Sequence, residues 1–436
     1  MASSPTTSEL AADPSRISRR RFVGGMAASV LGASGCSRTT KAVEPINVGI
    51  LHSQTGTMAI SETSLRDMEL FAIDEINAAG GVLSRPIKPV VKNPKSRFDD
   101  LFPRRARQLL DEEDVVAVFG CWTSASRKAV KPIFEEYDRL LFYPVQYEGN
   151  ECSPNIVYTG TVPNQQVFPA LDWLRSLSGG AKRRFFLVGT DYVFPWTLSH
   201  LITNHFKATY PDTEIVGKSY CPFGEKDFER VVTQIGESEA DVVINMINGD
   251  SNLYFYTELA RQGITSDDVP VLATSIGEDE LRGLLPELVE GHLAAANYFQ
   301  SVEREGNHDF IERFRREHGE DRVISDPMEA AYVSVYLWKA AVELAGSTDT
   351  EAVRKALGTQ IQIDAPGGRV HVDKRNQHLA KRCRVGKIRS DRQFDIVYEA
   401  PRILTPDPFP QTSFPGWRCD WTNDGLVEGD PVRIEP

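Results

Sequence analysis

The chain has 436 residues, of which 41% are hydrophobic and 25% are charged, so it is long and apolar enough to bury the cores of two or three globular domains. Its formal net charge of −12 argues against a nucleic-acid partner, because phosphate binding needs a basic surface. Plain solubility is the simplest explanation of the acidity.

The first residues have the pattern of an export signal. A cationic tract over 18–22 precedes a weakly apolar run that is too short to span a bilayer. The tract is similar to the twin-arginine export consensus, and residues 33–36 are similar to a lipoprotein signal. We therefore expect an export signal over 1–36, lipidation of Cys36 and a tether over 37–45. The alternative is a cleaved signal in which Cys36 is incidental. Either alternative predicts a protein in the periplasm or at the outer face of the cytoplasmic membrane.

Residues beyond the tether begin with an alternation of short apolar strands and amphipathic helices. The predicted strands of this first run are 46–51, 87–91 and 115–119, and the predicted helices are 61–78, with Ser61 as its N-cap, and 101–110. The strand over 115–119 is apolar on both faces, as a central parallel strand should be.

The alternation resumes in the middle of the chain. The predicted strands are 184–188, 214–220, 241–245 and 270–273, and the predicted helices are 198–206, 227–235 and 252–261. Two runs of this kind predict an α/β fold with two Rossmann-like lobes and parallel sheets. A helix over 327–345 comes late, so we expect it to return to the first lobe. Short alternating segments follow, including 384–388 and 393–398.

These patterns set the expected domain boundaries. Lobe 1 covers 46–162 and is completed by about 298–348, whereas lobe 2 covers 163–297 and is completed by about 349–400. A Pro-rich C-terminal extension occupies 401–436.

The cysteines beyond Cys36 form neither a CxxC pair nor a zinc pattern, so we expect no metal and no cofactor. They are Cys121, Cys152, Cys221, Cys383 and Cys419. An exported protein meets oxidising conditions, and an odd count leaves at least one thiol free. The spacing does not fix the pairing. As a hypothesis we pair Cys121 with Cys152, which lie beside candidate loops of the same lobe.

Polar and aromatic side chains follow the carboxyl ends of several predicted strands, where the ligand crevice of an open α/β sheet lies. The candidate ligand-binding residues are Ser53, Trp122, Thr123, Ser124, Tyr143, Gln146, Glu148, Tyr192, Asn248 and Asp250. Structural roles are the alternatives. Ser124 or Ser126 caps a helix, the tyrosines pack on the core, and Asp250 is the N-cap of the next helix.

Several of these tracts, in order along the chain, resemble the urea-binding subunit of urea ABC importers. They include Gly120-Cys121-Trp122-Thr123-Ser124, the tract from Tyr143 to Gly149, and the tract from Asn248 to Asn252. The resemblance runs from about 46 to about 398. It implies a type I periplasmic-binding fold, in which a multi-strand hinge joins two lobes that close around the ligand. Urea is then the ligand, and ABC permease subunits are the partners.

The same resemblance bears on ligand choice. Amide-binding relatives have Tyr at the position of Trp122 and Thr-Pro at Val145-Gln146, so these departures favour urea over acetamide. Urea needs hydrogen-bond acceptors on several sides, a hydroxyl donor and a flat aromatic face. Glu148, Asp250 and Gln146 are the candidate acceptors. Ser124 or a tyrosine is the candidate hydroxyl donor, and Trp122 or Tyr192 is the candidate aromatic face.

Two other functions compete with this hypothesis. A short-chain amide binding protein, or a cytoplasmic amide sensor of the same fold, is one, although the export signal argues against the sensor. A hydrolase using Ser124 or Cys121 is the other. The chain has no Gly-x-Ser-x-Gly elbow, and none of its eight histidines lies in the candidate loops to act as a general base. We therefore expect a binding protein rather than an enzyme.

Overall fold

The computed structural model describes residues 43–432 and residue 434. The predicted export signal, Cys36 and most of the tether lie outside the described residues. Within the described part, no helix is long and apolar enough to cross a membrane.

The first sheet has five parallel strands in the order β2-β1-β3-β4-β5. Their bounds are β1 Ile46–Leu51, β2 Ile87–Lys92, β3 Ala117–Gly120, β4 Leu140–Tyr143 and β5 Ile156–Tyr158. The helices between these strands are α1 Ala59–Ala78, α2 Leu101–Arg107, which continues as a π-helical turn Gln108–Glu112, and α3 Ser124–Glu136. Every residue of β3 and β4 is buried, which is typical of central parallel strands covered on both faces.

The second sheet has seven strands in the order β15-β14-β10-β9-β8-β6-β7. Their bounds are β6 Arg184–Thr190, β7 Glu214–Cys221, β8 Val242–Met246, β9 Val271–Ala273, β10 Leu293–Ala296, β14 Arg384–Ile388 and β15 Phe394–Glu399. The strands from β6 to β10 are parallel, and the two late strands add an antiparallel edge. The accompanying helices are α4 Val167–Arg175, α5 Val193–Thr209, α6 Glu229–Glu237, α7 Ser251–Arg261, α8 Glu278–Leu281 and α9 Pro286–Val289. The predicted α/β class with parallel sheets is confirmed.

The late part of the chain divides between the two sheets differently from the expected boundary. Its elements are α10 Glu305–His318, α11 Asp326–Ala345, α12 Thr350–Leu357, β11 Gln362–Ala365, β12 Gly368–Val372 and β13 Leu379–Ala380. Val353, Leu357 and Val372 belong to the same hydrophobic cluster as the first sheet. Residues 349–380 therefore pack on the first lobe, and only β14 and β15 join the second. The apolar face of α12 packs on α11, and this tertiary contact is invisible to local periodicity.

Three segments connect the lobes, after β5, after β10 and between β13 and β14. Asn297 lies in the second of them. Its Nδ2 donates to the backbone oxygen of Gln165 at 3.0 Å and to that of Arg382 at 2.8 Å. One buried amide thus joins all three connections, which is the geometry of a multi-strand hinge.

The C-terminal extension is packed against the protein and contains strands β16 Arg418–Asp420 and β17 Gly425–Val427. Phe409 and Phe414 are buried in the core of the second lobe. A disulfide joins Cys419 to Cys152, which lies after β4. The hypothesis of a Cys121–Cys152 bridge is therefore wrong. The partner of Cys152 comes from a segment 267 positions away, which no local spacing could indicate.

Candidate functional site

A small cavity of about 20 Å³ lies between the lobes at the carboxyl ends of their strands. Trp122 and Gln146 line it from the first lobe, and Ser275 and Glu280 line it from the second. The Gln146 Nε2 donates to the Ser275 Oγ across the gap at 3.0 Å. The structure therefore shows the lobes closed, and the space left between them is about the size of one water molecule.

Aromatic and amide side chains complete the closed interface. The Trp122 Nε1 donates to the Asn248 Oδ1 at 3.5 Å, and the Asn248 Nδ2 donates to the Tyr192 hydroxyl at 3.1 Å. The rings of Phe98 and Phe223, one from each lobe, have centroids 5.1 Å apart. The structure thus brings together Trp122, Gln146, Tyr192 and Asn248 from the predicted set.

Ser124 and Glu148 lie in a buried ion-pair network, which we call the Arg127 cluster and define as Ser124, Arg127, Glu148 and Glu151. The Ser124 Oγ donates to Glu148 at 2.5 Å and accepts from Arg127 at 3.1 Å. Arg127 also donates to Glu148 at 3.2 Å and to Glu151 at 2.9 Å. These side chains do not line the cavity, so the cluster fixes the shape of the loops that do.

Burial and charge act in opposite directions in this cluster. Burial favours the neutral form of Glu151, but Arg127 and the neighbouring Lys128 outweigh burial and hold the pKa of that carboxyl well below its usual range. Burial likewise acts to lower the pKa of Arg127, while Glu151 and Glu148 raise it well above the ordinary value. Arg127 and Glu151 therefore compensate each other's buried charge.

Three further predicted residues hold loops of the first lobe in place rather than lining the cavity. The Tyr143 hydroxyl donates to the backbone oxygen of Trp122 at 2.5 Å. The Thr123 hydroxyl caps α3 by accepting from the Ser126 N–H at 3.0 Å, so Thr123 has the capping role considered for Ser124 and Ser126. The Ser53 Oγ accepts from the Ser96 N–H at 2.8 Å.

The structure does not bring Asp250 to the cavity. It precedes α7 and is exposed, and its carboxylate makes no capping hydrogen bond to that helix. The chain turns so that Gly249, rather than the carboxylate, approaches Thr57 of the other lobe. Asp250 therefore does not reach the cavity, contrary to the prediction that its carboxylate is an acceptor for the ligand.

Sequence reasoning missed a second group of carboxylates, which we call the acidic turn and define as Glu278, Asp279 and Glu280. All of them are buried at the start of α8 in the second lobe. The Ser61 Oγ donates to Glu280 at 2.7 Å and the Ser64 Oγ donates to Asp279 at 2.5 Å. Both donors belong to α1 of the first lobe, so these bonds exist only when the lobes are closed. Ser61 lies inside α1, which begins after Met58, and is not the predicted N-cap.

Burial controls the protonation of the acidic turn. It raises the pKa of Glu278 to about 8, with Asp326 adding to the effect. Burial also raises the pKa of Glu280, and the neighbouring Asp279 raises it further. These carboxyls thus keep protons at a pH where ordinary glutamates have lost them.

Asp326 supplies another polar wall of the cavity at the start of α11. Its Oδ1 atom is buried and has no hydrogen-bond partner among the described residues. The Lys381 Nζ is 3.6 Å away, too far for a hydrogen bond. An unpartnered buried oxygen is costly, and an N–H donor of a ligand would satisfy it.

The acidic turn and Ser275 could have been found from the sequence. They follow β9 directly, and the loop after a parallel strand is where we placed the other candidates. Arg127 gave no such signal, since a basic residue in the first turn of a helix is typical of a solvated surface. Cys121 is buried, and burial raises the pKa of its thiol well above the usual range, so it is not an activated nucleophile.

Comparisons with known proteins agree with the fold described above. The family model of the periplasmic binding protein domain matches residues 46–415. A solute-binding protein from Rhodopseudomonas palustris in complex with p-hydroxybenzoic acid aligns with a TM-score of 0.72, 19% identity, and coverage of 84% of this chain and 98% of that chain. A branched-chain amino acid transporter substrate-binding protein from Streptococcus pneumoniae in complex with isoleucine aligns with a TM-score of 0.71, 18% identity, and coverage of 83% and 100%. These likenesses confirm the predicted type I periplasmic-binding fold.

A sequence match to limonene hydroxylase from Geobacillus stearothermophilus is partial. It has 29% identity over 118 residues and covers 27% of this chain. The match spans about a fifth of the hydroxylase, 21% of its length, so it carries no argument about activity. The similar solved structures are transporter binding proteins.

Proposed function

Since this chain belongs to the family of periplasmic binding protein domains, we propose that it is an extracytoplasmic solute-binding protein that delivers urea to an ABC importer by closing its lobes around the ligand. The observation that carries the proposal is the size and polarity of the cavity. At about 20 Å³ in the closed conformation, it has room for about one water molecule, so a slight opening admits a ligand of a few heavy atoms sooner than an amino acid or an aromatic acid.

The polar groups around the cavity complement a planar molecule with N–H donors on several sides. Glu280 and the unpartnered Asp326 Oδ1 are acceptors for those donors. Gln146 and Ser275, which bond each other in the closed structure, carry the donors that suit a carbonyl oxygen. Trp122 provides the flat face. A ligand lacking the N–H groups would leave buried acceptors unpaired and be rejected.

A short-chain amide is the second candidate. Ala295, Ala296 and Pro327 add apolar lining to the same cavity, and a methyl group needs such a surface. The two candidates differ in one of the three substituents of the carbonyl carbon. Urea has a second amino group there, which needs a polar wall, and acetamide has a methyl group, which needs an apolar wall.

Calorimetry with urea, acetamide, formamide and leucine on the exported chain tests the proposal. We expect urea to bind and leucine not to. Glu280→Gln removes an acceptor and should weaken urea binding about 5–30-fold, which corresponds to roughly 1–2 kcal/mol. Asp250→Asn is the matched control, since the exposed Asp250 should leave the affinity unchanged. Leucine binding without urea binding would overturn the ligand and leave only the family.

Export is proposed on the sequence pattern alone. Replacing Arg19 and Arg20 together by Lys should strand the protein in the cytoplasm, because the twin-arginine signal is read by its receptor. The measurement is the yield of protein in the periplasmic fraction. Unchanged yield would contradict export by this signal.

A further inference from the structure

A groove of about 730 Å³ lies against the hinge and shares no lining residue with the cavity between the lobes. We call it the hinge groove. Two of the three connections between the lobes line it, together with the start of β12 from the first lobe and β15 from the second. Its volume lies in the range of small-molecule sites.

Basic side chains outnumber acidic ones in the hinge groove. The basic residues are Arg304, Arg369, Lys381, Arg382, Arg384 and Arg389. The acidic residues are Glu303, Glu329, Asp395 and Glu399. This excess contrasts with the net charge of −12 of the whole chain. Carboxylates in or beside the groove already pair with Arg304, Lys381 and Arg389, so the capacity to bind an anion rests on the remaining arginines.

Some guanidinium N–H groups of the groove have no carboxylate partner. Arg382 and Arg384 share the single carboxylate of Glu399, at 2.9 Å and 2.7 Å. Arg369 is exposed and has no ion-pair partner within 4.0 Å among the described residues. Arg369 belongs to β12 on the first lobe, and Arg382 leads into β14 on the second. The free donors therefore face the groove from both sides of the hinge.

Two buried acceptors in the same groove also lack hydrogen-bond partners, although the Lys381 Nζ lies 3.6 Å from the Glu329 Oε2. The Asn297 Oδ1 and the Glu329 Oε2 have no hydrogen-bond partner among the described residues, and the two side chains are 3% and 1% exposed. Asn297 is the amide that joins the three connections. Buried acceptors of this kind are satisfied by a water or by a hydroxyl group of a ligand.

We propose that the hinge groove is a second binding site, for a small hydroxylated polycarboxylate. Its carboxylates pair with Arg369 and Arg382, whose planar donors match carboxylate geometry. Its hydroxyl group donates to the Asn297 Oδ1. The ligand bridges the lobes on the hinge itself.

Such a ligand acts on the closing motion. The hinge groove has this shape in the closed conformation, and a ligand shifts an equilibrium toward the state that it binds better. A polyanion in the groove therefore favours closure. By linkage, any ligand of the cavity between the lobes tightens binding in the groove by the same factor.

Calorimetry with citrate as the probe, at constant ionic strength and with no other ligand present, tests the site. We expect citrate to bind the wild-type chain and the R369A/R382A variant to lose about tenfold or more in affinity, the scale of losing charge-assisted hydrogen bonds. The control R183A/R261A removes the same charge from exposed ion pairs elsewhere on the second lobe. The single variant R369E, at an exposed position, serves if the double variant does not fold.

Absence of citrate binding to the wild type, or an equal loss in the control, would overturn the site. Small-angle scattering on the same samples tests the effect on closure. Citrate should reduce the radius of gyration of the wild type and leave that of R369A/R382A unchanged. Binding without compaction would overturn the coupling to the hinge. No urea is present, so these outcomes are independent of the proposed function.

Discussion

The Arg127 cluster and the acidic turn are two buried groups of carboxylates in opposite lobes, yet the pKa of Glu151 in the cluster is lowered and the pKa of Glu278 in the turn is raised. Glu151 has a guanidinium 2.9 Å away, and its pKa lies well below the usual range. Glu278 is equally buried without such a partner, and its pKa rises to about 8. Burial alone does not set the charge of a carboxyl group; the partner does.

The two groups also differ in where their partners lie. Every member of the Arg127 cluster belongs to the first lobe, so the cluster is complete whether the lobes are open or closed. Asp279 and Glu280 accept from Ser64 and Ser61 of the other lobe. The cluster is therefore a scaffold, whereas the acidic turn responds to closure.

The largest effect on stability is expected when the Arg127 cluster is disrupted. Arg127→Met leaves Glu148 and Glu151 buried with only the partly exposed Lys128 as a cation nearby, which should lower the free energy of unfolding by about 3–5 kcal/mol. Chemical denaturation is the measurement. The matched control is Arg107→Met, which removes an exposed ion pair with Glu136 and should cost less than about 1 kcal/mol. Equal losses in the two variants would show that the cluster is not the compensated unit described.

An intermediate effect is expected on the pH dependence of the free energy of unfolding, through Glu278 of the acidic turn. Between the ordinary pKa of 4.5 and the folded value of about 8, Glu278 keeps its proton in the folded chain and loses it in the unfolded chain. The folded state binds more protons, so stability falls as pH rises through this window, by up to about 1.4 kcal/mol per pH unit.

Glu278→Gln should make that slope shallower, as measured by denaturation at pH 5 to 9. Glu280, whose pKa is raised by burial and by Asp279, contributes a loss that stays in the variant. His52 also contributes a loss of its own that stays in the variant. Burial lowers its pKa, but Glu69 and Glu62 outweigh burial and raise it to about 9, so its contribution also disappears as pH rises. The same slope in both proteins would contradict the role of Glu278.

The smallest effect is expected on ligand affinity, when the acidic turn loses its hydrogen-bond donors from the other lobe. The S61A/S64A variant removes both hydroxyl donors to the acidic turn and should weaken binding of the cavity ligand about 5–30-fold by destabilising the closed state. Thr63→Ala on the same helix is the control, because the Thr63 hydroxyl donates to Ala59 within α1. Calorimetry measures both. If Thr63→Ala weakens binding as much, the interlobe bonds are not responsible.

Much of the fold followed from the sequence because its signals are local. Strands such as β1 and β14 coincide with their predicted bounds, since apolar runs and turn residues mark them. The assignment of 349–380 to a lobe did not follow, because it depends on the packing of α12 against α11. The Cys152–Cys419 pairing did not follow either, because it depends on where the C-terminal extension packs on the folded chain, 267 positions after Cys152.

The candidate site was predictable in position more than in detail. The rule that ligands bind beyond the carboxyl ends of parallel strands located Trp122, Gln146 and Asn248 correctly at the interface. It did not say which side chains turn inward. Asp250 turns outward, and Ser124 is held by Arg127, whose burial depends on carboxylates 21 and 24 positions away.

The Cys152–Cys419 bridge makes the protein a covalent ring with two tails. The ring contains the whole second lobe and all three connections of the hinge. A protease that cuts any one peptide bond within the ring leaves a single molecule, and its pieces separate only after the disulfide is reduced. The disulfide also cannot form until the C-terminal extension packs beside β4. A chain with the Cys152–Cys419 disulfide is therefore one in which the C-terminal extension has docked.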